Sequence, residues 1–246
     1  MLKNDVIVTE KLKKVYGDKT AVAGIDLTVH EGELFALLGV NGAGKTTTVR
    51  MLSCLSTPTS GKAFVYGHDV AKEQDEVKKL VGISTQDTAV AENLTAAENL
   101  EFMAGIFFQD KKDVEKRVAE AIEAFKLQEV RNKKAKTLSG GWKRKLSIAM
   151  AIISDPKILY LDEPTLGLDV LARRDLWRTI EKLKEKMTVI LTTHYMEEAE
   201  SLADRIAIMT EGRLITVGTL EELEAETGKK GLEEVFVTIV ENGGTR

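Results

Sequence analysis

Gly39-Val40-Asn41-Gly42-Ala43-Gly44-Lys45-Thr46-Thr47 follows the apolar run Glu33-Leu34-Phe35-Ala36-Leu37-Leu38 and leads into Thr48-Val49-Arg50-Met51-Leu52. The order reads as strand, glycine turn, helix. Its spacing, glycine, four residues, then Gly-Lys-Thr, is that of a phosphate-binding loop. Glycines at 39, 42 and 44 lack a Cβ, so the backbone can turn sharply and aim its N–H groups at phosphate oxygens. The helix that follows adds the partial positive charge of its N-terminus. Lys45 supplies a point charge for the β- and γ-phosphates, and Thr46 a hydroxyl for Mg²⁺. The loop by itself says only that a nucleoside triphosphate is bound.

Working outward, residues 6–8 and 12–16 are predicted to be short strands. Residues 21–29 form another, in which Ile25, Leu27 and Val29 alternate with Asp26 and Thr28. Antiparallel strands ahead of a continuously apolar, parallel-type strand predict a mixed sheet architecture. Tyr16 reads in isolation as a half-buried strand residue, although its ring also offers a surface for stacking on a base. After the first helix, residues 63–66 read as a strand, Gly67-His68-Asp69 as a turn, 75–80 as a helix and 81–84 as a strand ending at Thr85-Gln86-Asp87. Cys54, the only cysteine, rules out an internal disulfide, fits a reducing compartment and is expected to be buried at the end of the first helix.

Residues 88–137 read as helices without a strand, an all-helical insert of subdomain size. Thr95-Ala96-Ala97-Glu98 has the capping-box pattern and opens a helix carrying Leu100, Met103, Ile106 and Phe107. Asp113 opens a second, with Val114, Val118, Ala121, Ile122 and Phe125 on one face. Leu138-Ser139-Gly140-Gly141 precedes a helix over 142–154. Residues 157–164 form an apolar strand run ending in Asp162 and Glu163. Residues 169–186 form an amphipathic helix with Leu171, Leu176, Ile180 and Leu183 inward, and 188–193 a strand ending at His194. A helix over 196–203, a hairpin over 206–217 and a short helix over 220–226 follow. The tail, 232–240, fits either period and is read as helix.

With 246 residues and a net charge of −4, the chain suits one large domain carrying a subdomain, with no electrostatic footprint for nucleic acid. Its basic stretch, residues 131–136, has no interleaved aromatic and reads as a solvated connector. No apolar run approaches the roughly 20 residues needed to span a bilayer, and the N-terminus shows no signal-peptide core. The chain is expected to be soluble and to reach a membrane only through a partner.

Sites in α/β sheets lie at the carboxyl ends of parallel strands. Gln86, Asp162, Glu163 and His194 all fall at predicted strand ends. Asp162 is placed to hold Mg²⁺, and Glu163 to orient or deprotonate the attacking water. His194 is placed to donate to a γ-phosphate, and Gln86 to ligate Mg²⁺ or sense the phosphate. Ser139, Gly140 and Gly141 form a second glycine-rich helix N-terminus suited to phosphate oxygens.

Together and in this order, residues 39–47, Gln86, Leu138-Ser139-Gly140-Gly141, Ile158–Asp162 with Glu163, Gly167-Leu168-Asp169, and His194 resemble the ATP-binding-cassette (ABC) ATPase family over nearly the whole chain. The resemblance implies an α/β fold: a P-loop NTPase core with a mixed, mainly parallel sheet, an N-terminal antiparallel β subdomain, and a helical subdomain at 88–137 inserted into a single domain, 1–246. It implies Mg²⁺-dependent ATP hydrolysis, with ATP bound by Tyr16, Gly39, Val40, Asn41, Gly42, Ala43, Gly44, Lys45, Thr46, Thr47, Ser139, Gly140 and Gly141. Mg²⁺ is implied at Thr46, Gln86 and Asp162, with catalysis by Glu163 and His194. Tyr16 takes the position of the family's adenine-stacking aromatic. Two domains, identical or not, would sandwich two ATP molecules, Ser139 and Gly141 of one reaching the phosphate held by Lys45 of the other. Trp142 departs from the Gln common after the signature glycines and is expected to pack against the helical subdomain.

Residues 191–200 and the tail 232–236 are similar to ATPase subunits of ABC-2-type exporters, the multidrug and antibiotic-resistance group. That implies a separate integral membrane permease as partner, no nucleic acid, and a cytoplasmic position peripheral to the membrane's cytoplasmic face. The other class considered is a soluble ABC ATPase acting on an iron–sulfur assembly scaffold or another macromolecule without a membrane partner.

Overall fold

Alternating and continuous apolar runs sort into two kinds of sheet in the computed structural model, which describes residues 4–243. In chain order the strands are β1 (Asp5–Tyr16), β2 (Lys19–His30), β3 (Leu34–Leu38), β4 (Ser60–Val65), β5 (His68–Asp69), β6 (Val81–Ser84), β7 (Ile158–Asp162), β8 (Thr188–Thr193), β9 (Arg205–Thr210) and β10 (Arg213–Gly218). The helices are α1 (Lys45–Leu52), α2 (Gln74–Leu80), α3 (Ala96–Phe107), α4 (Lys111–Ala124), α5 (Gly140–Ala151), α6 (Val170–Lys184), α7 (Met196–Leu202), α8 (Leu220–Thr227) and α9 (Leu232–Gly243). Strands β2-β1-β4-β5 make an antiparallel sheet. The second sheet has the order β10-β9-β3-β8-β7-β6. It is parallel from β9 to β6, and β10 pairs antiparallel with β9 as a hairpin. Helices α3 and α4 lie between β6 and β7 in the chain.

The continuous apolar runs are buried on both faces, as parallel strands must be when helices cover them. Because side chains alternate along a strand, Leu159, Leu161, Val189 and Leu191 join a core shared with α3, α4, α5 and α6. Ile158, Tyr160 and Ile190 join another, under α1 and the antiparallel sheet. A third cluster sets α8 and α9 on Ala36, Leu38, Ile206 and Ile208. No helix among the described residues is long and apolar enough to cross a membrane.

Several elements differ from their sequence reading. The two N-terminal strands are one, β1, bent by a bulge between Thr9 and Leu12 where Lys11 has φ 47° and donates its N–H to Asp26 Oδ1 at 2.7 Å. The His68 turn is the short strand β5, paired with β4. Helix α4 starts earlier than Asp113, because Asp110 caps it by accepting from Lys112 N. Ile106 and Phe107 are 61% and 50% exposed at the end of α3, whose inward face is built from Ala96, Asn99, Leu100 and Ala104. Leu171 is 79% exposed: Asp169 caps α6 so that its first turn stands clear of the core, and the inward stripe begins at Leu176. Cys54 is only half-buried, and its thiol donates to Val70 O at 3.4 Å. The tail is helical, with Leu232, Val235, Phe236 and Ile239 buried.

Candidate nucleotide-binding site

The parallel register aligns the strand ends that matter. Leu38 sits opposite Thr193, Asp162 opposite Thr192, and Ser84 opposite Leu161. The loops leaving β3, β6, β7 and β8 therefore open on the same edge of the sheet, at a cavity of about 500 Å³. Tyr16, Asn41, Gly42, Ala43, Gly44, Lys45, Thr46, Thr47, Gln86, Glu163 and His194 line it.

Two of the loop's glycines are required sterically. A Cβ on Gly39 would lie 2.3 Å from Met209 O, and one on Gly44 would lie 2.6 Å from Ala21 O, with Gly44 also at φ 101°. This close approach brings the N-terminus of α1 to the cavity, where its first N–H groups have no partner within the helix. Lys45 Nζ is buried, donates to Gly39 O (2.7 Å) and Val40 O (3.2 Å), and lies 3.5 Å from Glu163 Oε1. Burial lowers its pKa, against the opposing pull of the Glu163 and Asp162 carboxylates.

Glu163 is buried and held at φ 48°, a backbone conformation that side chains other than Gly and Asn seldom take. Its N–H donates to Thr192 Oγ1 at 3.0 Å, which fixes the turn out of β7. Its Oε2 lies 2.9 Å from His194 Nδ1, near enough for a charge contact but out of line for a hydrogen bond. Asp162 Oδ1 accepts from both Thr46 Oγ1 (2.9 Å) and Thr192 Oγ1 (2.5 Å).

Thr46 and Gln86 line the cavity, and Asp162, which does not line it, is joined to it by its hydrogen bond from Thr46; their oxygens are hard donors of the kind Mg²⁺ takes. Among the described residues no three or more His, Cys, Asp or Glu side chains cluster as a protein-only metal cage.

Tyr16 is 47% exposed at the cavity mouth, and Lys14 Nζ lies over one face of its ring, 4.9 Å from the centroid. Ser139 and Gly141 are not in this group. They line a separate cavity of about 310 Å³ with Trp142, Lys145, Leu171, Ala172 and Asp175. There Trp142 is partly buried against the core that includes α3 and α4, with Lys145 Nζ 5.1 Å from its ring centroid.

Two residues with a direct hold on the site escape the sequence reading. Thr192 braces both carboxylate residues and looks like any strand threonine. Arg144, buried in α5, donates to Thr85 O (2.7 Å) and Gln86 O (2.6 Å), tying the helix that begins at Ser139 to the loop that carries Gln86. A cation at that point of a mostly buried helix is the only signal that marked it.

A buried parallel strand, a glycine turn closed by Lys45 and Thr46, and a facing carboxylate pair define an ATPase of the phosphate-loop class. Residues 22–166 match the family model described as ABC transporter, and the chain belongs to that family as an ATP-binding cassette ATPase. It is 44% identical to the daunorubicin/doxorubicin resistance ATP-binding protein DrrA of Streptomyces peucetius, over 92% of this chain and 69% of that protein. It is 40% identical to the linearmycin resistance ATP-binding protein LnrL of Bacillus subtilis, over 96% of this chain and 78% of that one. Among solved structures, a dimeric post-hydrolysis state of an ATP-binding cassette bound to ADP and Pi superposes with a TM-score of 0.79 at 27% identity, covering 87% of this chain and 98% of the other.

Proposed function

We propose that this chain is the ATP-hydrolysing subunit of an exporter, working as two ATPase copies beneath a separate integral membrane permease on the cytoplasmic face of the membrane. The observation that carries the two-copy reading is the separation of the cavities. Lys45 and Glu163 line one, Ser139 and Gly141 the other. A site that uses both sets draws them from different chains. Exposed apolar residues beside each set, Val40 at the phosphate loop and Val170 and Leu171 at the start of α6, support contact with a second copy. The exporter reading is supported by the drug-resistance ATP-binding proteins to which the chain is similar. Phe102, Ile106 and Phe107, exposed on the helical segment 88–137, suit contact with the membrane subunit.

In this reading the N–H groups of residues 42–47 and the Lys45 ammonium hold the β- and γ-phosphates, and Tyr16 stacks on the adenine. Thr46, Asp162 and Gln86 would hold Mg²⁺, whose charge would offset that of the phosphate oxygens. Glu163 orients a water and takes its proton, and His194 donates toward the γ-phosphate. Ser139, Gly140 and Gly141 of the other copy close the site with a helix N-terminus.

Glu163→Gln keeps the shape of the side chain and removes the base. The variant is expected to bind ATP, to lose turnover by about 10²-fold or more, and to run as a dimer in ATP on a sizing column. A monomer under those conditions would sink the two-copy reading. Isolation from a membrane fraction without any integral membrane protein would sink the exporter reading.

A further inference from the structure

Behind His194 lies a group of side chains that the cavity does not use. Glu198 on α7 is fully buried (0% exposed), and its Oε1 accepts the indole N–H of Trp177 on α6 at 3.0 Å. The hydroxyls of Thr193, at the end of β8, and Thr165, in the loop 164–169 after Glu163, face the same carboxyl, and both threonines are buried. Thr193 Oγ1 in turn accepts from Tyr195 N at 3.0 Å. The Tyr195 ring lies 4.1 Å from the His194 ring and carries the Arg173 guanidinium on its other contact, 4.7 Å from the ring centroid. The Glu198 carboxyl thus holds α6 through Trp177, and hydroxyls from the segment that leaves Glu163 and from the strand end that presents His194 act on it.

We propose that Glu198 is a positioning residue that ties the 164–169 loop to the strand end bearing His194, so that the place of the loop sets the aim of His194 at Glu163. The joint is partly open. Thr165 Oγ1 and Glu198 Oε2 are both buried without a closed hydrogen bond, and so is Arg173 Nε. A buried acceptor and a buried hydroxyl without partners gain by closing a bond between them. Burial pushes the Glu198 carboxyl toward its protonated form, against the hydroxyls of Thr193 and Thr165, the Trp177 N–H and the Arg173 charge. The neighbouring Glu197 carboxylate draws off part of that charge, 3.8 Å from an Arg173 nitrogen. A carboxyl so placed can donate to one threonine and accept from another.

The proposal rests on Glu163 and His194 being the hydrolytic pair, and the test separates the two. Steady-state ATP turnover is measured for Glu198→Ala, Glu198→Gln, Thr165→Val and the double variant Glu198→Ala/Thr165→Val, with Glu163→Gln as control. Glu198→Ala and Thr165→Val are each expected to lower kcat about tenfold, with KM for ATP within about twofold, because a misaimed group slows chemistry without loosening substrate. Glu198→Gln, which still both donates and accepts, is expected to keep wild-type kcat. The double variant is expected to lose no more than the worse single one, since both break one link. Unchanged kcat in Thr165→Val, a loss confined to KM, or additive losses in the double variant would overturn the proposal. If Glu198→Ala does not fold, Thr165→Val and Glu198→Gln decide it in the same terms. Retained turnover in Glu163→Gln would overturn the hydrolytic assignment, and the proposal with it.

Discussion

Lys45 is a buried cation held between two backbone carbonyls and a carboxylate. Its pKa is lowered because burial outweighs the attraction of Glu163. The folded chain therefore gains little from the charge itself, as the proposed role in holding an anionic phosphate requires. Lys45→Ala is expected to weaken ATP binding by tenfold or more, about 1.4 kcal/mol or above, and to leave the melting temperature near that of the wild type. Calorimetric titration and a thermal melt check the two halves. Asp162, Glu163 and His194 are legible as site candidates because, with Gln86, they fall together at the ends of strands in a chain that also carries a phosphate loop. Thr192 and Arg144 are not legible in that way. Their importance lies in what they touch, Asp162 and Glu163 for one and the carbonyls of Thr85 and Gln86 for the other, and contacts between residues 30 or 58 positions apart leave no local pattern.

At the scale of elements, periodicity reads well where a whole helix or strand faces one core and poorly where an element leaves it. Strands β3, β7 and β8 are continuous apolar runs and appear where expected. The last turn of α3 and the first turn of α6 carry apolar residues that point away from the core, the buried faces being Ala96, Asn99, Leu100 and Ala104 in α3 and the stripe from Leu176 in α6. The ambiguous tail offers a clean test. In a strand, Val235, Val237 and Ile239 would share a face; in α9, Phe236 is buried and Val237 is 45% exposed. Phe236→Ala is expected to cost about 3–5 kcal/mol of unfolding free energy, and Val237→Ala within about 0.5 kcal/mol, by urea denaturation.

The molecule as a whole presents two separate cavities, one lined by Lys45 and one by Ser139. On the proposed two-copy reading these are half-sites, and a pair of copies related by a two-fold axis would bury both at once. This has a kinetic signature. An enzyme complete within one chain has a specific activity independent of how dilute it is. Here the rate per chain should climb with total protein until the pair is saturated, then level off, and a dilution series of initial rates shows it. Anchoring two copies side by side raises their effective concentration into the millimolar range for short tethers. On that reading, ATP is spent faster wherever a scaffold holds two copies together than where the chains are dilute.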